Sequence, residues 1–136
     1  MNIPELYKER RAQGKPVFSL EVFPPKRKKN KDSIYEAVDK LKVTNPDFIS
    51  VTYGAGGNIA DNSTCEIAAN IKKNYGIETV AHLTCINSTR EDVKVMIQRF
   101  KDADIRNVMA LRGDIVPGEE IQREFRHSNE LAIEIQ

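Results

Sequence analysis

No charge of one sign dominates this chain. Across 136 residues, 21 Lys and Arg stand against 20 Asp and Glu, a formal net charge of +1. Without a basic field, nucleic acid is not an expected partner, and without a polybasic patch neither is a membrane surface. No apolar run approaches the roughly 20 residues needed to span a bilayer. The opening MNIPELYKERR is charged and lacks the apolar core of a signal peptide. Cysteine is scarce: Cys65 and Cys85 are far apart and match no metal-ligand spacing. A reducing cytoplasm with both thiols free is therefore expected, and no bound metal. No segment is low-complexity, and 40% hydrophobic with 30% charged residues suits one ordinary domain over residues 1–136.

The stretch that stands out is VFSLEVFPPK, residues 17–26. Its β-branched and aromatic residues, stopped by Pro24 and Pro25, predict a central parallel strand, apolar on both faces. Glu21 then sits in mid-strand, where a charge is costly unless paired or protonated. A carboxyl desolvated in this way is suited to giving up a proton at neutral pH. The alternative is an edge position, or a salt bridge to Lys26 or Arg27.

Strand and helix patterns alternate along the rest of the chain. A short charged helix is expected over residues 4–12, ended by Gly14 and Pro16. After the basic loop 26–31, Ser33-x-x-Glu36 reads as a capping box, with Ile34, Ala37, Val38 and Leu41 at helical spacing behind it. DFISV (47–51) predicts a second strand and runs into TYGAGG (52–57), whose glycines allow close backbone approach to a ligand. Ser63-x-x-Glu66 predicts a second cap, with Gly76 ending that helix. IETVAHL (77–83) is a third strand and Ser88-x-x-Glu91 a third cap. NVMAL (107–111) is a fourth strand, followed by the turn Arg112-Gly113-Asp114, a polar loop 115–123 and a last amphipathic piece over 128–135.

A strand–helix unit thus recurs about every 30 residues, which implies parallel strands and right-handed crossovers. A doubly wound sheet would show a Gly-rich phosphate turn after its first strand, where this chain has Pro-Pro. Polar residues instead gather at the ends of several strands, which is where a (β/α)8 barrel builds its site. The expected fold class is α/β, a TIM-type barrel of which this chain carries about the first four βα units. Four units leave two sheet edges and an apolar face to cover. Pairing with another copy, or with the missing C-terminal half of the barrel, is therefore expected.

The segments SLEVFPPK (19–26), DFISVTYGAGG (47–57), AHLTCI (81–86) and NVMALRGD (107–114) together resemble the methylenetetrahydrofolate reductase family. The resemblance implies a flavoprotein barrel that reduces methylenetetrahydrofolate to methyltetrahydrofolate, with FAD as cofactor and NADH or NADPH as hydride donor. Glu21 matches the family's general acid. Thr52 matches the position that meets the nicotinamide nucleotide. Tyr53, Ala55 and His82 match flavin contacts, and Arg112, Gly113 and Asp114 the flavin-binding turn, with Asp114 also facing the folate. His127 and Ser128 match contacts to the rest of FAD. The family's later strands, which hold most of the FAD and folate, have no counterpart among these residues, so weak flavin binding and no turnover are expected from this chain alone. The alternative of another class is a non-catalytic half-barrel that associates with itself or with a partner chain.

Overall fold

The computed structural model describes residues 1–25, 31–53, 61–115, 117–118, 120–121 and 124–136. Along the chain run α1 (Ile3–Ala12), β1 (Ser19–Val22), α2 (Lys31–Leu41), β2 (Phe48–Val51), α3 (Ser63–Tyr75), β3 (Glu78–Thr84), α4 (Arg90–Asp102), β4 (Asn107–Leu111) and α5 (Ser128–Ile135). A short 3-10 turn, Lys42–Thr44, follows α2.

All four strands are parallel and stand in the order β1-β2-β3-β4. A doubly wound sheet reverses its strand order at a switch point; this one never does. Sequential order with right-handed crossovers puts every connecting helix on one face. The helices carry the matching apolar stripes: Ile34 and Val38 on α2, Ile67, Ala68 and Ile71 on α3, Val93, Met96 and Phe100 on α4, and Leu131 on α5. These pack with Ile49, Val51, Ala81 and Leu83 of β2 and β3 in one core, with Leu20 and Val22 of β1 at its margin. The architecture is that of part of a (β/α)8 barrel, as the repeat predicts.

Among the described residues, the other sheet face is covered only at its N-terminal end. There α1 lays Leu6 over Phe48 and Val80, with Ile3 and Val17 beside them. The Ile3 amide donates to Asn107 Oδ1 at 3.0 Å. Asp47 binds the approach to β1 from both sides. Its Oδ2 accepts from the Phe18 amide at 2.9 Å and its own amide donates to Phe18 O at 2.7 Å. Arg10 Nε donates to Asp47 Oδ1 at 2.7 Å, which fixes α1 to the same point.

Two kinds of expectation are corrected, the place of β1 and the helix caps. β1 is not a central strand: among the described residues it pairs with β2 alone, its alternate residues are exposed, and Phe18 and Phe23 lie largely in solvent. Composition reports what a strand's side chains prefer, while a central place needs a second neighbour. The caps also shift. α2 begins at Lys31, which puts Ser33 inside the helix. α3 has Asn62 at its N-cap without a side-chain bond, and Asp61 Oδ1 accepts from the Ser63 amide at 2.9 Å. α4 uses Thr89 and Asp92 as a reciprocal capping box, one residue beyond Ser88 and Glu91. The first helix has its own box, Asn2 with Glu5. Gly76, by contrast, ends α3 in the left-handed conformation with φ 66°.

Burial would raise the Asp47 carboxyl, but the Phe18 amide and the Arg10 guanidinium outweigh it and hold it below its ordinary 3.8. A carboxyl lowered on folding stabilises the fold above that value and loses the contribution as pH falls through its folded value. Asp47→Asn should therefore cost about 2 kcal/mol at pH 7, the range for a lost charged hydrogen bond. In urea melts the gap between variant and parent should close as pH drops below 3.8; a gap that persists there would refute the assignment.

Candidate active site

Side chains alternate across a strand with period two. Leu20, Val22, Ile49, Val51, Ala81 and Leu83 turn to the helices, so Glu21, Ser50 and His82 must turn the other way. Register aligns them: Glu21 pairs with Ser50, Ser50 with Val80, and His82 lies two residues further along β3. Ser50 Oγ donates to Glu21 Oε2 at 3.1 Å. His82 Nε2 lies 3.6 Å from that same oxygen. This is ion-pair range when the ring is charged, but too long for a hydrogen bond. The His82 side chain is 9% exposed and that of Glu21 46%. Among the described residues, His82 Nε2 has no hydrogen-bond partner. Burial pushes His82 below its ordinary 6.5, and the Glu21 charge opposes that only in part. The folded site thus favours a neutral ring with one nitrogen free for a ligand.

The strand ends continue this surface. The Thr52 amide donates to Val22 O at 3.0 Å, extending the β1–β2 ladder, and Thr52 O accepts from Thr64 Oγ1 at 2.8 Å. Tyr53, one residue on, packs against the helix-side core and is not brought to Glu21 and His82. Its phenol is pushed up to about 12 by burial, with the Asp61 charge adding to it. Ala55 lies outside the described residues, as do Gly54, Gly56 and Gly57. After β4 the turn is tied to β3: the Ile86 amide donates to Arg112 O at 2.8 Å. Arg112 and Asp114 are exposed, and Arg112 Nε donates to Gly113 O at 3.2 Å.

Gly113 has φ +85°, and a Cβ there would meet the Thr84 Cβ at 3.0 Å. Only glycine fits this turn without strain. Thr84 packs directly beneath it. His127 and Ser128 open α5, which Phe125 and Leu131 anchor in the core. His127 O accepts from Cys85 Sγ at 3.8 Å, so the start of α5 lies beside the end of β3. Both cysteines are free and buried, and burial raises both thiols.

Sequence reasoning missed Ser50. It sits in FISV as the one polar residue of a buried strand, at the alternation that faces Glu21. The same signal drew attention to Glu21 itself.

Residues 6–135 match the family model of methylenetetrahydrofolate reductase. The chain is 47% identical over 97 residues to the 5,10-methylenetetrahydrofolate reductase of Buchnera aphidicola subsp. Baizongia pistaciae, covering 71% of this chain and 33% of that protein. It is 39% identical over 120 residues to the probable methylenetetrahydrofolate reductase (NADH) of Oryza sativa subsp. japonica, covering 88% and 20%. With the Escherichia coli K12 enzyme of the same name as the first it shares 37% over 107 residues, covering 79% and 36%. The chain thus spans between a fifth and about a third of the length of these curated relatives.

Two outcomes follow from this geometry. Gly113→Ala should lose about 1–3 kcal/mol in urea unfolding, the usual cost of a forced backbone conformation; a melt unchanged from the parent would mean the turn relaxes freely. His82 is lowered on folding, so the unfolded chain takes up its proton first as pH falls. Its effect is absent well above 6.5 and destabilises increasingly below it. The melting temperature should fall more steeply between pH 7 and 5 in the parent than in His82→Gln, with equal slopes counting against the buried neutral ring.

Proposed function

We propose that this chain, which belongs to the methylenetetrahydrofolate reductase family, forms the first four βα units of a barrel that reduces methylenetetrahydrofolate to methyltetrahydrofolate. Residues 1–136 then make one N-terminal half-barrel whose site is completed by the remaining strands of the barrel, from another copy or from the C-terminal half. One observation carries the reading: Glu21, Ser50 and His82 converge on the sheet face that the helices leave open, beyond the end that α1 closes. That is the end at which barrels do chemistry.

FAD, when bound, supplies hydride transfer between a nicotinamide nucleotide and the folate. NADH in the names of the plant relatives supports a nicotinamide donor. The residues present fit such a group. A buried imidazole nitrogen without a partner among the described residues suits a polar ring edge, and Arg112 and Asp114 after β4 are exposed. His82, Tyr53, Ala55, Arg112, Gly113 and Asp114 would hold the flavin, with Thr52 at the nicotinamide and His127 and Ser128 toward the rest of FAD. Glu21 would be the acid, giving its proton to the folate nitrogen released as the methylene bridge opens, while Asp114 would also face the folate. Tyr53 is the weakest of these, because it packs on the core side.

The alternative is a half-barrel that associates without catalysis. A fluorescence titration of FAD with the purified chain, paired with light scattering, separates the two. We expect weak but saturable quenching of the flavin, lost in His82→Ala and retained in Glu21→Gln. Folded chain at any assembly state with no effect on FAD would favour the non-catalytic reading.

A further inference from the structure

The Ser50 hydroxyl stands between two acceptors. Its Oγ is 3.1 Å from Glu21 Oε2 and 3.5 Å from the Leu20 carbonyl oxygen. The residue is 6% exposed, so water does not compete freely for it. A hydroxyl carries one proton to donate and lone pairs with which to accept. With Glu21 ionised, that proton serves Oε2. With Glu21 protonated, the hydroxyl can rotate its proton to the Leu20 carbonyl and accept from the acid's own O–H. The proton of the carboxyl stays on Glu21 throughout; only the hydroxyl turns. No other described side chain hydrogen-bonds this carboxyl.

We propose that Ser50 is the positioning residue for Glu21, holding its carboxyl beside His82 in both of the carboxyl's protonation states. This rests on the reading of Glu21 as the acid and deepens it. An acid that gives up and regains a proton each turnover needs a partner that does not release it halfway. A half-exposed glutamate with several free torsions would otherwise leave its place, since fixing such a side chain costs rotamer entropy. Hydrogen bonds to charged groups are the stronger kind, and the strand register, with Glu21 opposite Ser50, supplies this one without any loop having to order.

His82 is the reporter. Among the described residues, Glu21 is the one charge acting on it; its register partner on β4 is Met109, and β2 presents Ser50. The chain has 2 histidines, and exposed His127 serves as an internal reference. We would follow both imidazoles by NMR titration in the full chain. Glu21→Gln removes the charge that raises His82, so the His82 midpoint should fall. Ser50→Ala and the near-isosteric Ser50→Cys should lower it in the same direction, by about half as far or more, because the carboxylate is no longer held at the ring. Ser50→Thr, which keeps the hydroxyl, should restore the parent midpoint. A purely structural Ser50 would leave His82 where the parent has it while Glu21→Gln moves it, and that result overturns the proposal. So does a His82 indifferent to Glu21→Gln, or a folded Ser50→Thr that fails to restore the midpoint. Amide spectra establish folding, and Ser50→Cys carries the test if Ser50→Ala unfolds. No flavin or folate is added, so failure here and failure of FAD binding are separately visible.

Discussion

The placement of every connecting helix on one face of a parallel sheet decides where everything else goes. Helices on that face take up the apolar alternation of the strands, Ile49, Val51, Ala81 and Leu83. Polar residues at the alternate positions, Glu21, Ser50 and His82, then appear on the other face. With helices on both faces, Glu21, Ser50 and His82 would each be sunk in hydrocarbon, at a cost of several kcal/mol for an unmatched charge. With one face open they meet one another instead. The constraint that builds the core therefore also gathers the candidate site, and no separate device is needed to bring three strands' polar residues to one oxygen of Glu21.

An open face still needs one end closed, or it would be a flat apolar surface. Helix α1 does this with Leu6 over Phe48 and Val80, and it is pinned in two places. Asn107 holds its first turn through the Ile3 amide, and Asp47 holds its last through Arg10. Asp47 spends its other oxygen on the Phe18 amide, so the helix, the entry to β1 and the start of β2 are tied to one carboxylate. This gives the face a direction, closed where strands begin and polar where they end. At the far end the Gly113 turn is laid tightly over Thr84, and the start of α5 is held to Cys85. The surface near His82 is thus framed by backbone rather than by long side chains.

How much of this was legible depended on how local the cause was. The fourth strand and the last helix are found where the pattern places them, because their apolar periodicity is internal. The caps of α3 and α4 lie one residue from the expected serines, and α2 begins two residues before Ser33. Asp61, Asn62 and Ser63 stand in a row, as do Ser88 and Thr89, and any of these can accept from a helix amide; the angle at which the chain enters the helix chooses among them, which sequence does not record. The edge position of β1, an alternative the sequence leaves open, has a different cause. Pairing is a relation between strands, and an apolar run such as VFSLEVF looks the same with one neighbour or two. Tyr53 shows the power of parity read too late. It is expected with His82 at the flavin, yet the single-residue step from Thr52 sends its ring to the helix-side core.

The exposure of Glu21 carries the last step. On composition alone this residue was expected to be desolvated by its own strand. It is instead 46% exposed, because among the described residues β1 has one neighbour and nothing lies over the face above it. The strand contributes position, and Ser50 contributes orientation, but neither removes water. In a water-excluded site the same charges act far more strongly on one another, and the 3.6 Å separation between His82 and Glu21 would then matter more than it does in the open face. On the proposed reading of Glu21 as an acid, whatever covers the face would be part of its environment and not merely its target. The described residues present a prearranged pair on an open face, and under the proposed reading covering that face is what would turn this geometry toward proton transfer.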